Sequence, residues 1–232
     1  MKKALACLSG LACAAMLSTA TLAEDNKTGL ETEQQKIGYS FGQMFGRRLG
    51  DSMPELDINS FVMGIQDAYS GNPSKLTDEE IAALMQAYQT QQQAKQRQQM
   101  EELANTNLEK GTAFLTENAK KDGVVTTESG LQYKVLTKGD GKNPALTDTV
   151  EVHYTGTLIN GDVFDSSVQR GKSVTFPVNG VIPGWIEALQ LMKPGSKWQL
   201  FIPADLAYGP SGNGRIGPNE TLLFEVELIA IK

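Results

Sequence analysis

The sequence predicts an α+β protein whose helices come first and whose strands come last. Between Glu31 and Gly71, apolar residues recur at helical spacing, which predicts two short helices. A capping sequence at Thr77 opens a proline-free stretch that predicts one long helix, ending near Lys120. From Val124 onward the apolar residues alternate with period two, which indicates strands. One short helix among several antiparallel strands is typical of an α+β roll.

The composition is ordinary for a globular protein. The chain has 232 residues, of which 40% are hydrophobic and 21% are charged. This length suffices for one large or two modest domains. The net charge is −6, so we expect no general affinity for nucleic acid or for anionic lipid, and no nucleic-acid partner.

The first residues resemble a bacterial secretory signal, which we expect to be cleaved. Lys2 and Lys3 precede a mostly apolar run that is too short for a stable membrane span, and Thr21-Leu22-Ala23 resembles a small-residue cleavage site. The alternative is an apolar N-terminal helix of the fold. Because residues 1–23 contain two lysines and no acid, their removal changes the net charge from −6 to −8.

Both cysteines, Cys7 and Cys13, lie within this predicted signal. A mature chain that starts at Glu24 then has no disulfide, no thiolate metal site and no cysteine nucleophile. Attachment of lipid to Cys13 is the alternative, although Gly10 stands where a leucine is expected.

The region of residues 24–72 is predicted to be a helical dimerisation domain. Gly38, Gly42 and Gly46 share one face of the first helix, which favours close packing against another helix or a second chain. Incidental glycines in a marginal helix are the alternative. Asp57 should cap the second helix, which should end at Gly71. Two helices this short bury little apolar surface alone, so we expect a homodimer, with a monomer folded back on itself as the alternative.

Residues 73–122 are predicted to form a long connecting helix, capped by Thr77 with Glu80 reaching back. From Gln89 to Gln99 no apolar side chain is larger than that of Ala94. A helix that is polar all round usually spans solvent between domains, whereas a glutamine-rich segment can also be disordered. The good helix formers in this stretch favour the helix, which would act as a spacer.

The last part, residues 123–232, carries the period-two pattern. Its central hairpin runs from Val150 to Ser167, with Asn160-Gly161 as the turn. A group of aromatic and aliphatic side chains lies on separate predicted elements, comprising Tyr154, Phe164, Phe176, Val181, Ile182, Trp185, Tyr208 and Phe224. These residues form either the walls of a binding cleft or the hydrophobic core, and the pattern alone does not decide.

Familiar catalytic signatures are weak. His153 is the sole histidine and faces away from the core positions of its strand, so neither a metal cluster nor a nucleophilic dyad is expected. The run from Gly212 to Gly217 has the spacing of a dinucleotide-binding fingerprint. Pro218 follows at once, and the sequence ends at Lys232, before the acidic residue that the fingerprint requires about 20 residues later, so we interpret the run as a surface loop.

Several segments of this C-terminal part nevertheless resemble the FKBP-type peptidyl-prolyl cis-trans isomerases in order and spacing. They are Val152-His153-Tyr154-Thr155-Gly156, Gly161-Asp162-Val163-Phe164-Asp165-Ser166-Ser167, Val181-Ile182-Pro183-Gly184-Trp185, Ala207-Tyr208-Gly209 and the ending 219–228. The signal, the two short helices, the capped long helix and the segment 114–118 resemble the macrophage infectivity potentiator (Mip) type of bacterial FKBP.

The resemblance implies a half-barrel sheet wrapped over one helix, with the site between them. Residues 123–232 would be the isomerase domain. Trp185 would form the floor of the cleft, and Asp165 would lie near Tyr154 and Arg170. The Ile182 amide and the Tyr208 hydroxyl would bond carbonyl groups. The catalytic residues implied are Tyr154, Phe164, Asp165 and Tyr208, and the binding residues are Arg170, Phe176, Val181, Ile182, Trp185, Ile216 and Phe224.

The function implied is isomerisation of X-Pro bonds in exported proteins, as a folding catalyst and chaperone. Unfolded proline-containing proteins would be substrates, and tacrolimus and rapamycin would be inhibitors. Rotation about a prolyl bond requires no bond to an enzyme nucleophile, so neither a cofactor nor a metal is expected. A non-catalytic peptide-binding chaperone that uses the same cleft is the alternative. We expect a periplasmic location, with association to the outer membrane left open.

Overall fold

A computed structural model describes residues 29–232 of the chain. The predicted signal peptide lies outside these residues. The described part forms two compact units, one ending at Thr77 and one spanning Asp78–Lys232.

The first unit contains two helices, α1 (Glu33–Ser52) and α2 (Ile58–Ser70). Thr32 caps α1 in a reciprocal capping box with Gln35, a cap that was not predicted. The Asp57 carboxylate accepts the Ser60 amide at the start of α2, and Gly71 ends it with φ 69°, as predicted.

Neither helix of the first unit buries a side chain within the described part of the chain. Three large apolar side chains of α1 are more than half exposed: Phe41 56%, Met44 68% and Phe45 64%. A methyl group added at Gly38, Gly42 or Gly46 would meet nothing within 4 Å. The unit therefore presents an uncovered apolar surface and an open glycine stripe.

The second unit begins with α3 (Asp78–Asn118), a single helix of 41 residues. It runs without interruption through the glutamine-rich stretch, so the predicted helix is confirmed over the disordered alternative. Only Asn107, Gly111 and Asn118 are buried along it. None of the helices within residues 29–232 is long and apolar enough to cross a membrane.

The rest of the unit consists of one antiparallel sheet, one α-helix and three 3-10 helices of three residues each. The strands are β1 (Val124–Thr126), β2 (Gln132–Thr137), β3 (Thr149–Leu158), β4 (Val163–Ser166), β5 (Val174–Pro177), β6 (Lys197–Ile202) and β7 (Leu222–Ile231). Their order is β1-β2-β6-β7-β3-β4, with β5 also paired to β3. Helix α4 (Pro183–Leu191) provides the fourth α-helix of the described chain. The predicted α+β class is thereby confirmed.

The core lies between α4 and one face of the sheet. Alternate residues of β3 point inward, because Val150, Val152 and Tyr154 are buried while their neighbours are partly exposed. From α4, Trp185 and Leu189 are buried against them. The burial of these apolar side chains is the dominant favourable contribution to the stability of the fold.

Helix α4 approaches β6 closely. A methyl group added at Gly184 would lie 2.5 Å from Ile202 Cγ2, so only glycine fits this contact. The absence of a side chain at Gly184 lets the helix bring Trp185 down onto the sheet.

The end of α3 packs on the sheet as well. The rings of Phe114 and Phe201 are 6.0 Å apart, and Asn118 Nδ2 donates to Gln132 Oε1 at 2.9 Å. Gln132 is buried and Val135 is exposed, whereas a period-two apolar pattern predicts that the apolar residue is buried and the polar one exposed. The end of α3 therefore packs on the sheet of the predicted isomerase domain. The proposed border between residues 122 and 123 stays a prediction.

Candidate active site

A cleft of roughly 370 Å³ opens between the sheet and α4. Its lining comes from strands β3, β4, β5 and β7, from the segment between β5 and α4, from the start of α4 and from the loop after β6. The residues are Tyr154, Phe164, Asp165, Phe176, Gly180, Val181, Ile182, Trp185, Tyr208 and Phe224. The lining is therefore mostly aromatic and aliphatic, with one carboxylate and one exposed phenol at the rim.

Trp185 forms the floor of this cleft and is 4% exposed. Pro183 begins α4, where its missing N–H costs nothing, and this places Trp185 in the first turn of the helix. The indole meets the Tyr154 ring edge to face, with centroids 5.3 Å apart, and the Phe224 ring at 5.2 Å. Such edge-to-face pairs are a favoured aromatic geometry. Within the described residues the indole Nε1 has no hydrogen-bond partner.

Two phenylalanines form one wall. The rings of Phe164 and Phe224 are 5.5 Å apart and nearly perpendicular. Both rest directly on Gly156, because a methyl group added there would lie 2.6 Å from each ring. The glycine in the middle of β3 therefore makes room for the wall.

A polar cluster joins the cleft at the end of β4. The Tyr154 hydroxyl donates to Asp165 Oδ2 at 2.5 Å and accepts from Arg170 Nη2 at 3.1 Å. Arg170 also forms an ion pair with Asp165. Desolvation raises the pKa of Asp165, but the bonds from Tyr154 and Arg170 outweigh it and hold that pKa below its usual value. Burial, reinforced by Asp165, raises the pKa of Tyr154.

Two hydrogen-bond donors remain unused at the rim. The amide of Ile182, which precedes α4, donates no hydrogen bond within residues 29–232. The Tyr208 side chain is 37% exposed, and its hydroxyl likewise has no partner in that part of the chain. The cleft thus combines an apolar floor and walls with donors at its mouth, which suits a ligand that is largely apolar and carries carbonyl groups.

Two family models match the chain. Residues 34–135 match the domain amino-terminal to FKBP-type peptidyl-prolyl isomerases, and residues 141–229 match the FKBP-type peptidyl-prolyl cis-trans isomerase itself. The Mip peptidyl-prolyl cis-trans isomerase of Coxiella burnetii is 48% identical over 88% of this chain and 90% of its own.

The chain belongs to the FKBP-type peptidyl-prolyl cis-trans isomerases.

Other relatives agree with this assignment. The outer membrane protein MIP of Legionella longbeachae is 46% identical over 100% of this chain and 98% of its own. The crystal structure of FkpA from Escherichia coli has a TM-score of 0.78 and 40% identity, covering 88% of this chain and 98% of that one. The predicted Mip-like FKBP resemblance and the predicted enzyme class are both confirmed, and the non-catalytic alternative is set aside.

The structure of this FKBP-type isomerase brings the predicted site residues together around the cleft, with two exceptions. Arg170 lies behind the lining and contacts it through Asp165 and Tyr154. Ile216 is 8% exposed and belongs to the hydrophobic core, not to the lining. Gly180 lines the cleft and was not predicted. Its signal in the sequence is faint, because glycines just before short helices are common in loops that line no cleft.

The remaining sequence signals belong to ordinary structural features of this isomerase. His153 Nδ1 lies 3.2 Å from Ser167 Oγ on the side of β3 away from the core, as expected. Residues 212–217 form a loop closed by a bridge between Asn213 and Ile216, and no helix follows. In residues 29–232 no group of three or more acidic, histidine or cysteine side chains is arranged to hold a metal ion.

Proposed function

We propose that the isomerase acts on X-Pro bonds of exported proteins in the aromatic cleft, as a folding catalyst and chaperone. The observation that carries this proposal is the combination of the Trp185 floor, the phenylalanine wall and the two unused donors at the rim. The site roles proposed for its residues are those implied by the family resemblance.

The chemistry needs rotation and no covalent step. Turning a peptide bond has a barrier of about 18–20 kcal/mol because the twisted amide loses its resonance. That twisted state has less charge separation than the planar one, so an apolar site that excludes water favours it. The proline ring would rest on Trp185, with Phe176, Phe224 and Val181 around it.

The two donors would fix the substrate while the bond turns. The Ile182 amide would bond one substrate carbonyl and the Tyr208 hydroxyl another. The ion pair of Asp165 and Arg170 would hold the Tyr154 ring in place and set the polar side of the cleft. Hydrogen bonds that hold a ligand in the reactive geometry lower the barrier by removing its freedom in advance.

The direct test is NMR exchange spectroscopy on a short Leu-Pro peptide with the mature protein. We expect isomerisation to be accelerated, and Tyr208→Phe to lower kcat/KM about fivefold, which corresponds to one neutral hydrogen bond. Tyr133→Phe is the matched control, because its ring stacks on Trp198, away from the cleft. The absence of any acceleration by the wild-type protein at micromolar concentration would refute the proposal.

The same cleft should bind tacrolimus and rapamycin. Both would cover Trp185, so its fluorescence should change on titration, above a background from Trp198. Inhibition of peptide isomerisation over the same concentration range is expected. Unchanged fluorescence together with uninhibited activity would argue against this ligand class.

We also propose a homodimer formed through residues of about 31–72, within a domain of residues 24–72. Its support is the uncovered apolar surface of α1 and α2, on which Met44 is 68% exposed. A soluble monomer rarely leaves so large an apolar surface open, and a two-fold contact is the commonest way to cover it. A mass of one chain, 25.1 kDa or less, in sedimentation at all concentrations would refute the dimer.

The proposed location is the periplasm, reached through a signal peptide of residues 1–23. Mass spectrometry of the protein purified from its native membrane and periplasmic fractions tests this. A mature chain that starts at Glu24 would support simple cleavage, whereas a lipid-modified Cys13 would replace it with membrane anchoring.

A further inference from the structure

We propose that α3 is part of the active-site framework, and that Asn107 and Asn219 are positioning residues that fix the loop carrying Tyr208. This inference rests on the role given to Tyr208 in the proposed function. It assigns to the end of the long helix a task beyond spacing two domains.

The first observation is a buried polar residue on a helix that is otherwise mostly exposed. Asn107 is 8% exposed, and its Nδ2 donates to the carbonyl oxygen of Pro218 at 2.8 Å. The two residues are 111 positions apart in the chain. A buried amide without its partner would be costly, so this bond ties the loop to the helix in one arrangement.

The second observation is the conformation of the residue that follows Pro218. Asn219 has φ 52°, and no other non-glycine residue between 29 and 232 has a positive φ. Asparagine tolerates this left-handed region better than most residues do. Its side chain Nδ2 donates to the carbonyl oxygen of Ala104 at 3.3 Å, one turn before Asn107. Two side-chain amides therefore join the helix to Pro218-Asn219: Asn107 donates from the helix to the loop, and Asn219 donates from the loop to the helix.

A backbone hydrogen bond connects Asn219 to the loop that carries Tyr208. The backbone N–H of Asn219 donates to the carbonyl oxygen of Gly209 at 2.9 Å, and Gly209 directly follows Tyr208. The Tyr208 hydroxyl has no hydrogen-bond partner within residues 29–232, so no such bond anchors its ring. The place of the ring at the cleft mouth thus depends on its backbone, which α3 holds through Asn219.

Beside these hydrogen bonds, α3 packs closely against the residue before β7. A methyl group added at Gly111, one turn after Asn107, would lie 2.3 Å from Thr221 Oγ1 and 3.3 Å from Thr221 Cβ. Gly111 is the only glycine of α3, and glycine in a helix interior costs about 1 kcal/mol relative to alanine. That cost is offset by the close approach of α3 to the strand that follows the loop.

A double-mutant cycle on the full-length mature chain tests the proposal. The four proteins are wild type, Asn107→Ala, Tyr208→Phe and the double variant, and kcat/KM is measured on a short X-Pro peptide well below the unfolding temperature. We expect each single change to lower kcat/KM about three- to fivefold, and the double variant to be no worse than Tyr208→Phe alone. Asn105→Ala is the matched control, because Asn105 is exposed on the same helix.

A purely structural role would give a different result. If Asn107 only stabilises the fold, its effect on kcat/KM should be absent, or should multiply with that of Tyr208→Phe, and either outcome overturns the proposal. If Tyr208→Phe alone has no effect, the role of Tyr208 in the proposed function fails. The positioning role then fails with it, whatever Asn107→Ala does.

A second pair of variants tests the same positioning role independently, in case Asn107→Ala does not fold. Gly111→Ala should lower kcat/KM by pushing on Thr221, and Gly111→Ala with Thr221→Ala should restore much of it, because the nearest clashing atom is removed. Amide hydrogen exchange at Asn219 should rise in Gly111→Ala and fall again in the double variant. Unchanged exchange and unchanged kcat/KM in Gly111→Ala would show that α3 does not position the loop.

Discussion

The carboxylate of Asp165 gives the active site a charge whose effect depends on pH. Its pKa is lower in the folded chain than in the unfolded one because Tyr154 and Arg170 bond the ionised form. As the pH falls, the Asp165 carboxylate therefore binds a proton in the unfolded chain before it does so in the folded chain. The contribution to stability is fully present above the unfolded pKa, near pH 4, and is lost as the pH falls through the lower folded pKa.

We therefore predict that Asp165→Asn lowers the free energy of unfolding more above pH 5 than at pH 3. The difference should not exceed about 1 kcal/mol, because the Asp165 and Arg170 side chains are 41% and 48% exposed and the pair is screened by water. Urea unfolding of both proteins at a series of pH values measures it. A difference that does not vary with pH would contradict the assignment.

Gly156 allows a second prediction for a single residue. Gly156→Ala should displace the Phe164 and Phe224 rings, which would lie 2.6 Å from the new methyl group. We expect a loss of about 1–3 kcal/mol in unfolding free energy and at least a tenfold loss of kcat/KM, because the wall moves into the cleft. Gly50→Ala is the control for activity only, since nothing lies within 4 Å of its added methyl group and Gly50 does not line the cleft. Normal activity of Gly156→Ala would show that the wall is not needed.

At the level of single residues, most of the residues predicted for the site lie around the cleft, whereas the contacts that surround the cleft were not predicted. Trp185 and Phe224 could be assigned because they lie in motifs that the family shares. Ile216 could not be separated from them, since an apolar side chain serves core and cleft equally well. Contacts such as Asn107 with Pro218 join residues 111 positions apart, and no local pattern reveals such a pair.

Among the elements, α1 offers the sharpest test of the dimer. In the single chain nothing lies within 4 Å of a methyl group at Gly42, so Gly42→Ala should favour the helix by about 1 kcal/mol. If the glycine stripe contacts a second chain, the same change should weaken the dimer about tenfold or more. Sedimentation measures the dissociation constant of the dimer. A dimer that is unchanged or tighter would remove the stripe from the interface.

The elements themselves follow from the sequence wherever the period was clear. Alternation placed β3, and the capping residue Asp57 placed α2. The pattern failed on β2, where Gln132 is buried and Val135 is exposed. Burial there is decided by α3, because Gln132 bonds both Asn118 and the carbonyl oxygen of Leu115 on that helix. The sequence of a strand does not show which helix outside it covers one of its faces.

For the whole molecule we predict that residues 24–72 can be removed without loss of the basic reaction. The cleft residues, from Tyr154 to Phe224, and all of α3 remain in the shortened chain. It should be monomeric and keep kcat/KM on short peptides. It should lose turnover on an unfolded protein preferentially, because two linked clefts hold a long chain more strongly than one. Refolding of a proline-limited substrate protein measures the second effect, and equal losses on both substrates would contradict it.

The seven-stranded sheet limits where recombination between related genes can join two such chains. The first family model ends at residue 135 and the second begins at residue 141, yet β2, which begins before this border, pairs with β6 beyond it, with Tyr133 opposite Leu200. Recombination between two related genes at the border would place strands from different parents side by side and part Asn107 from Pro218. Crossovers upstream of Ala104 leave all of these contacts within one parent. Surviving natural hybrids should therefore carry their junctions in the exposed part of α3 or before it.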